Sequence, residues 1–205
     1  GFVRIDEEKM SKSLGNFFTI KEVLKKYQPE VIRFFILSSH YRSPLNYSVE
    51  NLDEAKSALT RLYTALKESK SDIAGIDQDY SAKFNTYMND DFNTPKAISL
   101  LHEIAKKMNR IDDKSIDEAR RLAFTLKKLG SVLGWLETNP QNFLQGKSDK
   151  NKDDDDIERI NNLIKERNIA RDKKDFARAD EIRRELTELN VTLEDTEDGT
   201  GWRRN

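Results

Sequence analysis

The chain is 205 residues long, with 36% hydrophobic and 36% charged side chains, eight Gly, four Pro and no Cys. That length bounds it to one or two domains with a sizeable core, and a charged share well above the usual ~25% favours helices with wide solvated faces. No run approaches the ~20 apolar residues of a membrane helix; the lack of Cys excludes a disulfide scaffold and thiolate-held zinc or iron–sulfur, and with two His a metal site would need carboxylates, of which no cluster stands out.

The opening Gly1-Phe2-Val3-Arg4-Ile5 carries no initiator Met, basic n-region or apolar h-region. It reads as a strand begun in mid-domain, so the chain is expected to be the C-terminal portion of something longer, with machinery upstream. A polar loop then runs through Asn16. Thr19 and Glu22 form a capping box that predicts a helix to about Tyr27. Pro29 suits a first helical position, and Val31-Ile32-Arg33-Phe34-Phe35-Ile36-Leu37 is apolar enough to predict a buried helix beneath the N-terminal loop.

From Ser48 to Leu136 the period is helical. Leu52, Ala55, Leu59, Leu62 and Leu66 recur at threes and fours, as do Ile98, Leu101, Ala105 and Met108 behind the cap Thr94 and its following Pro95. A third stripe, Leu122, Leu126, Leu129, Leu133 and Leu136, follows a Ser115…Glu118 capping box. With a shorter helix around Phe84, Tyr87 and Met88, these predict an antiparallel bundle whose stripes are its core. Residues 145–156 hold no apolar side chain and end in four Asp, which reads as a flexible linker. The acidic run precedes a helix and favours its positive end; metal binding by it is a weak alternative. Helices over 157–173 and 176–189, the second capped by Asp175, and a hairpin from Val191-Thr192-Leu193 and Gly201-Trp202-Arg203 complete a small module. The expected layout is 1–47, a segment with the polar loop; 48–144, the bundle; 145–156, the linker; and 157–205, the module. The fold class is mainly α.

Net charge is −1, which argues against generic polyanion binding. Residues 1–48 hold eight Lys/Arg against five Asp/Glu, residues 49–156 hold 17 against 20, and residues 157–205 hold 11 against 12. The excess basicity sits at the N-terminal end. There, Lys9-Met10-Ser11-Lys12-Ser13, followed by Leu14-Gly15-Asn16, puts two ammonium groups and two hydroxyls on a Gly-terminated loop. Such a loop can fold over a triphosphate and neutralise charge that develops on leaving pyrophosphate, a task suited to Lys as a compact charge on a flexible stem. A solvated loop with incidental lysines is the plain alternative.

Lys9 to Ser13 is similar letter for letter to the KMSKS signature of class I aminoacyl-tRNA synthetases. The wider string from Gly1 to Phe18, His40-Tyr41-Arg42-Ser43-Pro44-Leu45-Asn46-Tyr47-Ser48, Asp90-Asp91-Phe92-Asn93-Thr94-Pro95 and Trp202-Arg203-Arg204 resemble the cysteinyl-tRNA synthetase family from first residue to last. The resemblance implies a stem-contact segment around the loop, a helical bundle and a small anticodon-binding module. It implies an ATP loop of Lys9, Met10, Ser11, Lys12 and Ser13, with Lys12 catalytic, in a cytoplasmic enzyme that activates cysteine with ATP and transfers it to tRNA(Cys). The family's Rossmann domain, HIGH motif and zinc ion lie upstream. No His-x-Gly-His string and no Cys stand here, so the chain alone is expected to be inactive and to hold no metal.

Among other candidates, His40 reads as structural or solvated rather than as a tRNA contact, and His102, beside a core stripe, as structural. Tyr41, Arg42 and Tyr47 offer either an aromatic–basic surface for acceptor-stem phosphates or core packing. Cysteine anticodons begin with guanine, whose Watson–Crick edge offers the acceptor O6 and the donors N1–H and N2–H₂. By the resemblance, Arg171, Asp180 and Asp195 match positions that the family uses around that base. Phe176, where relatives often carry Trp, and Trp202 are expected stacking surfaces. Without the resemblance, an ordinary Arg–Asp surface network ranks first. The competing readings are a helical interaction module that keeps an unused motif, and a cysteine ligase paralogue acting on a small amine. Residues 157–205 disfavour the paralogue, which would need no anticodon module.

Overall fold

The structure, a computed structural model, describes residues 3–5, 8–9, 19–67, 75–111, 116–146, 154–196 and 199–204. The chain forms two compact units, residues 1–140 and 141–205.

The first unit opens with a three-stranded sheet. β1 (Val3–Ile5) lies between β2 (Glu8–Lys9), antiparallel to it, and β3 (Leu45–Tyr47), parallel to it with Val3 opposite Leu45. The capping box forms as expected: the Thr19 hydroxyl accepts from the Glu22 amide, and the Thr19 amide donates to the Glu22 carboxylate at 2.6 Å. The helix it opens, α1 (Ile20–Val23), is shorter than predicted. Its bonds tighten to i→i+3 at Lys25 and Lys26, and Gln28 is extended ahead of Pro29. A residue before proline is pushed out of the helical region, so the capping signal cannot carry the helix further.

α2 (Pro29–Leu37) starts at its proline but buries one face only. Val31, Phe34 and Phe35 are inside, as expected of a buried helix, while Ile36 on the other side is 47% exposed. The loop expected above it lies outside the described residues. Hydrophobic content alone set that expectation; the 3.6 period decides which of these side chains turn inward.

α3 (Val49–Lys67), α4 (Gln78–Asn89), α5 (Thr94–Met108) and α6 (Ile116–Val132) pack together, and α2 packs on α3. All three leucine-rich stripes are buried apart from Met108, which is half-buried. The cap of α5 is Asn93, whose side chain accepts from the Lys96 amide; Thr94 is the first helical residue and is buried. Asn93 holds the non-helical backbone of a cap (φ −72°, ψ 69°) while Thr94 is already helical, and that places the cap one position before the expected Thr94. Ser115 lies outside the described residues. Trp135 is fully buried with its ring 4.8 Å from Phe34, and its indole N–H has no partner among the described residues. The chain turns after α6 at Gly134 (φ 72°), whose carbonyl accepts from Arg33; a Cβ there would collide with the Arg33 guanidinium. Tyr63 donates to Glu30 at 2.6 Å, tying α3 to α2, and burial holds the Glu30 carboxyl above its usual range.

α7 (Pro140–Leu144) falls at the boundary between the units. In the second unit α8 (Asp154–Asp172) takes the last three Asp of the acidic run into its first turn, earlier than the expected start at 157. Negative residues are favoured there by the helix dipole. Lys174, at φ 60°, ends the turn, and Asp175 caps α9 (Phe176–Glu188) by accepting from the Arg178 amide. β4 (Val191–Thr196) and β5 (Gly199–Arg204) form the antiparallel hairpin. α8, α9 and the hairpin enclose a core of Ile157, Ile160, Ile164, Ile182, Leu186, Val191 and Trp202.

Candidate nucleic-acid interface

The stripe that α8 turns inward runs Ile157, Ile160, Ile164 and then, three and four residues on, Arg167 and Arg171. On β4 the period of two puts Val191, Leu193 and Asp195 on one face. Across the ladder, Leu193 pairs with Trp202 and Asp195 with Thr200. The apolar part of each stripe builds the core, and the polar continuation of each meets at its end. Arg167, only 7% exposed, donates Nη1 to Asp195 Oδ1 at 3.3 Å and Nη2 to Oδ2 at 3.2 Å. Arg171 Nη1 donates to Oδ2 at 3.2 Å, and the Thr200 hydroxyl donates to Oδ1 at 2.8 Å. The side chains of Arg171 and Asp195 are each 49% exposed, so both face solvent at the rim of this cluster.

The Arg167 fork, the Thr200 hydroxyl and the positive field of both arginines draw the Asp195 carboxyl from 3.8 down to about 2. The folded value is depressed, so the linked stability is full above the unfolded value and is lost as pH falls through the folded one. The thermal midpoint of the second unit should therefore fall between pH 4 and pH 2. An Asp195→Asn chain should fall less over that interval, and equal slopes in a calorimetric pH series would refute this.

Of the sequence candidates, Arg171 and Asp195 are brought together. Asp180 is exposed on α9, and no hydrogen bond or ion pair joins it to them among the described residues. Phe176, at the start of α9, is 63% exposed. Trp202 is 3% exposed and donates its indole N–H to Asn161 at 3.0 Å. Its expected role as a stacking surface is corrected: pairing opposite Leu193 points its ring inward. Arg167 and Thr200 escape the sequence reading, although Arg167 lies on the same helical stripe as Ile160, Ile164 and Arg171.

In the first unit, Lys9 ends β2, while Met10, Ser11, Lys12 and Ser13 lie outside the described residues. The His40–Tyr41–Arg42 segment is tied to the turn after α4. His40 Nε2 meets the Asp91 carbonyl at 3.0 Å, Tyr41 donates to Asp91 Oδ1 at 2.7 Å, and Arg42 Nε lies 2.7 Å from Oδ2. The Arg42 charge is thus paired with Asp91. Tyr47 is half-buried, edge-on to Phe35. His102 is half-buried edge-on to Phe34, and burial holds its imidazole below the usual value, hence neutral.

Among the described residues no group of three or more His, Cys, Asp or Glu could hold a metal ion. With no Cys in the chain as well, these residues do not fit the zinc that the family implies. No described helix is long and apolar enough to cross a membrane.

Three family models match in chain order: a class I (C) tRNA synthetase catalytic domain over residues 1–57, a DALR domain over 83–137, and a cysteinyl-tRNA ligase anticodon binding domain over 153–203. All of the chain aligns with proteins named cysteine–tRNA ligase. Identity is 51% with that of Idiomarina loihiensis, 53% with that of Thioalkalivibrio sulfidiphilus and 48% with that of Haemophilus influenzae. The chain spans 44% of the length of each of these relatives.

Proposed function

The chain belongs to the cysteine–tRNA ligase family, and from that premise we propose that it is the tRNA-docking part of an enzyme that joins cysteine to tRNA(Cys) at the expense of ATP. The observation that carries the proposal is the exposed Arg171–Asp195 pair, a guanidinium donor and a carboxylate acceptor 3.2 Å apart. Side by side, they complement the O6 acceptor and the N1–H and N2–H₂ donors of an unpaired guanine, the first base of a cysteine anticodon. The exposed Phe176 ring supplies a face on which a neighbouring base stacks, and the exposed Asp180 on the same helix supplies a further acceptor. A near-neutral module suits contacts to base edges rather than a broad phosphate track.

In the complete enzyme Lys9 to Ser13 bind ATP, and Lys12 neutralises charge on the pyrophosphate as the cysteine carboxylate displaces it from the α-phosphate. The cysteine site and its zinc belong to residues outside this chain, and the enzyme works in the cytoplasm.

The test is binding of anticodon stem–loop RNA. Asp195→Ala should cost about 1–3 kcal/mol with guanine at the first anticodon position and much less with adenine there. A loss shared equally by the two RNAs would mean that Asp195 reads no base.

A further inference from the structure

Asp195 offers about four lone-pair directions to hydrogen-bond donors, and four contacts are placed to fill them: two from Arg167, one from Arg171 and one from Thr200, whose single hydroxyl proton lies nearer Asp195 Oδ1 (2.8 Å) than Asn168 Oδ1 (3.2 Å). A base N–H therefore cannot be accepted until one of these partners leaves, and the partners differ in how readily they can. Arg167 is 7% exposed, ends the buried stripe of α8 and grips both oxygens. Withdrawing it would strand a buried charge. Arg171 touches one oxygen, and its side chain is 49% exposed, so water replaces what it gives up.

We propose that Arg167 is a positioning residue for guanine recognition: it clamps Asp195 at two points, while Arg171 is the exchangeable partner whose place on Oδ2 the base N–H takes. Arg171, displaced, turns its guanidinium to the base O6. In the free chain Arg171 thus holds the acceptor that the base will use, and recognition is a swap of donors on a fixed carboxylate. The inference rests on the reading of this cluster as the guanine site. Among the described residues, the charged groups that face Asp195 are Arg167 and Arg171 from α8, with the neutral Thr200 across the hairpin.

The experiment uses the 205-residue chain, stem–loop RNAs with guanine or adenine at the first anticodon position, and a carbon-detected NMR titration of the Asp195 carboxyl. Arg167→Lys keeps the buried charge and most of the stem but cannot form the fork. It should bind the guanine RNA about tenfold more weakly and lose most of the preference over adenine, with its helical circular dichroism unchanged. In the RNA-free chain, Arg167→Met should move the Asp195 titration up from about 2 towards the ordinary 3.8, and Arg171→Met should move it distinctly less. A role confined to packing would change thermal stability and leave both readouts in place.

Wild-type guanine preference retained in Arg167→Lys, or equal titration shifts in the two Met variants, overturns the proposal while the reading of the site stands. No guanine preference in the unmodified chain overturns the reading and the proposal with it.

Discussion

Trp202→Ala should unfold the second unit at temperatures where the unmodified chain is fully folded. The indole sits in a core of seven buried residues, and truncating such a ring costs about 3–5 kcal/mol through lost burial and the cavity left behind. A unit spanning residues 141–205 has little to spare, since domains of that size lie near the lower end of the ~5–15 kcal/mol that native folds hold. The Asn161 amide would lose its partner as well. Urea unfolding by circular dichroism, with hydrogen exchange to locate the change in α8 and α9, measures the effect. Trp202→Phe supplies the contrast: it keeps most of the apolar area and gives up the hydrogen bond, a smaller cost of about 1 kcal/mol or somewhat more. If Trp202→Ala were as stable as Trp202→Phe, the ring would not be the keystone that its burial indicates. If Trp202→Ala stayed folded yet lost RNA binding, Trp202 would act on the base after all.

The second large effect lies in the proposed ATP loop. In the complete enzyme proposed above, Lys12→Ala should slow cysteine-dependent exchange of pyrophosphate into ATP about a hundredfold. That corresponds to about 3 kcal/mol for removing one charge aimed at the developing phosphate charge. The loss should appear in kcat, because the contact matters most in the transition state. A change in KM alone would mean that the loop binds ATP equally in ground and transition states. Exchange at the unmodified rate would end the assignment of Lys12. The isolated chain, lacking the HIGH motif and any thiolate, should show no exchange with or without zinc.

Much of the bundle can be read from the residues because each stripe has many members. Leu52 to Leu66 and Leu122 to Leu136 repeat often enough that only a helix with one buried face accounts for them. Short elements carry no such redundancy. β3 has three residues, too few for alternation to register, and exists because Val3, Arg4 and Ile5 supply a ladder from more than forty residues away. The cap of α5 is expected at Thr94 and falls on Asn93, because the two residues share the same capping chemistry and only backbone geometry separates them. At the candidate site, the family resemblance points to Arg171 and Asp195, but their partner Arg167 looks in sequence like one more surface cation. The available clue was its place three residues after Ile164, on the buried side of α8. Trp202 misleads for the converse reason: an aromatic residue in a module expected to bind an anticodon suggests stacking, whereas pairing with Leu193 sends it inward.

The two tryptophans of the chain fall one to each unit, both buried, and their indole nitrogens differ. Trp202 donates to Asn161, while the Trp135 N–H has no partner among the described residues. The chain therefore carries an intrinsic optical label in each half. The hydrogen-bonded indole should emit at longer wavelength than the one enclosed by apolar side chains. Single-tryptophan versions made by Trp→Phe exchange would report the melting of each half separately, without an attached dye.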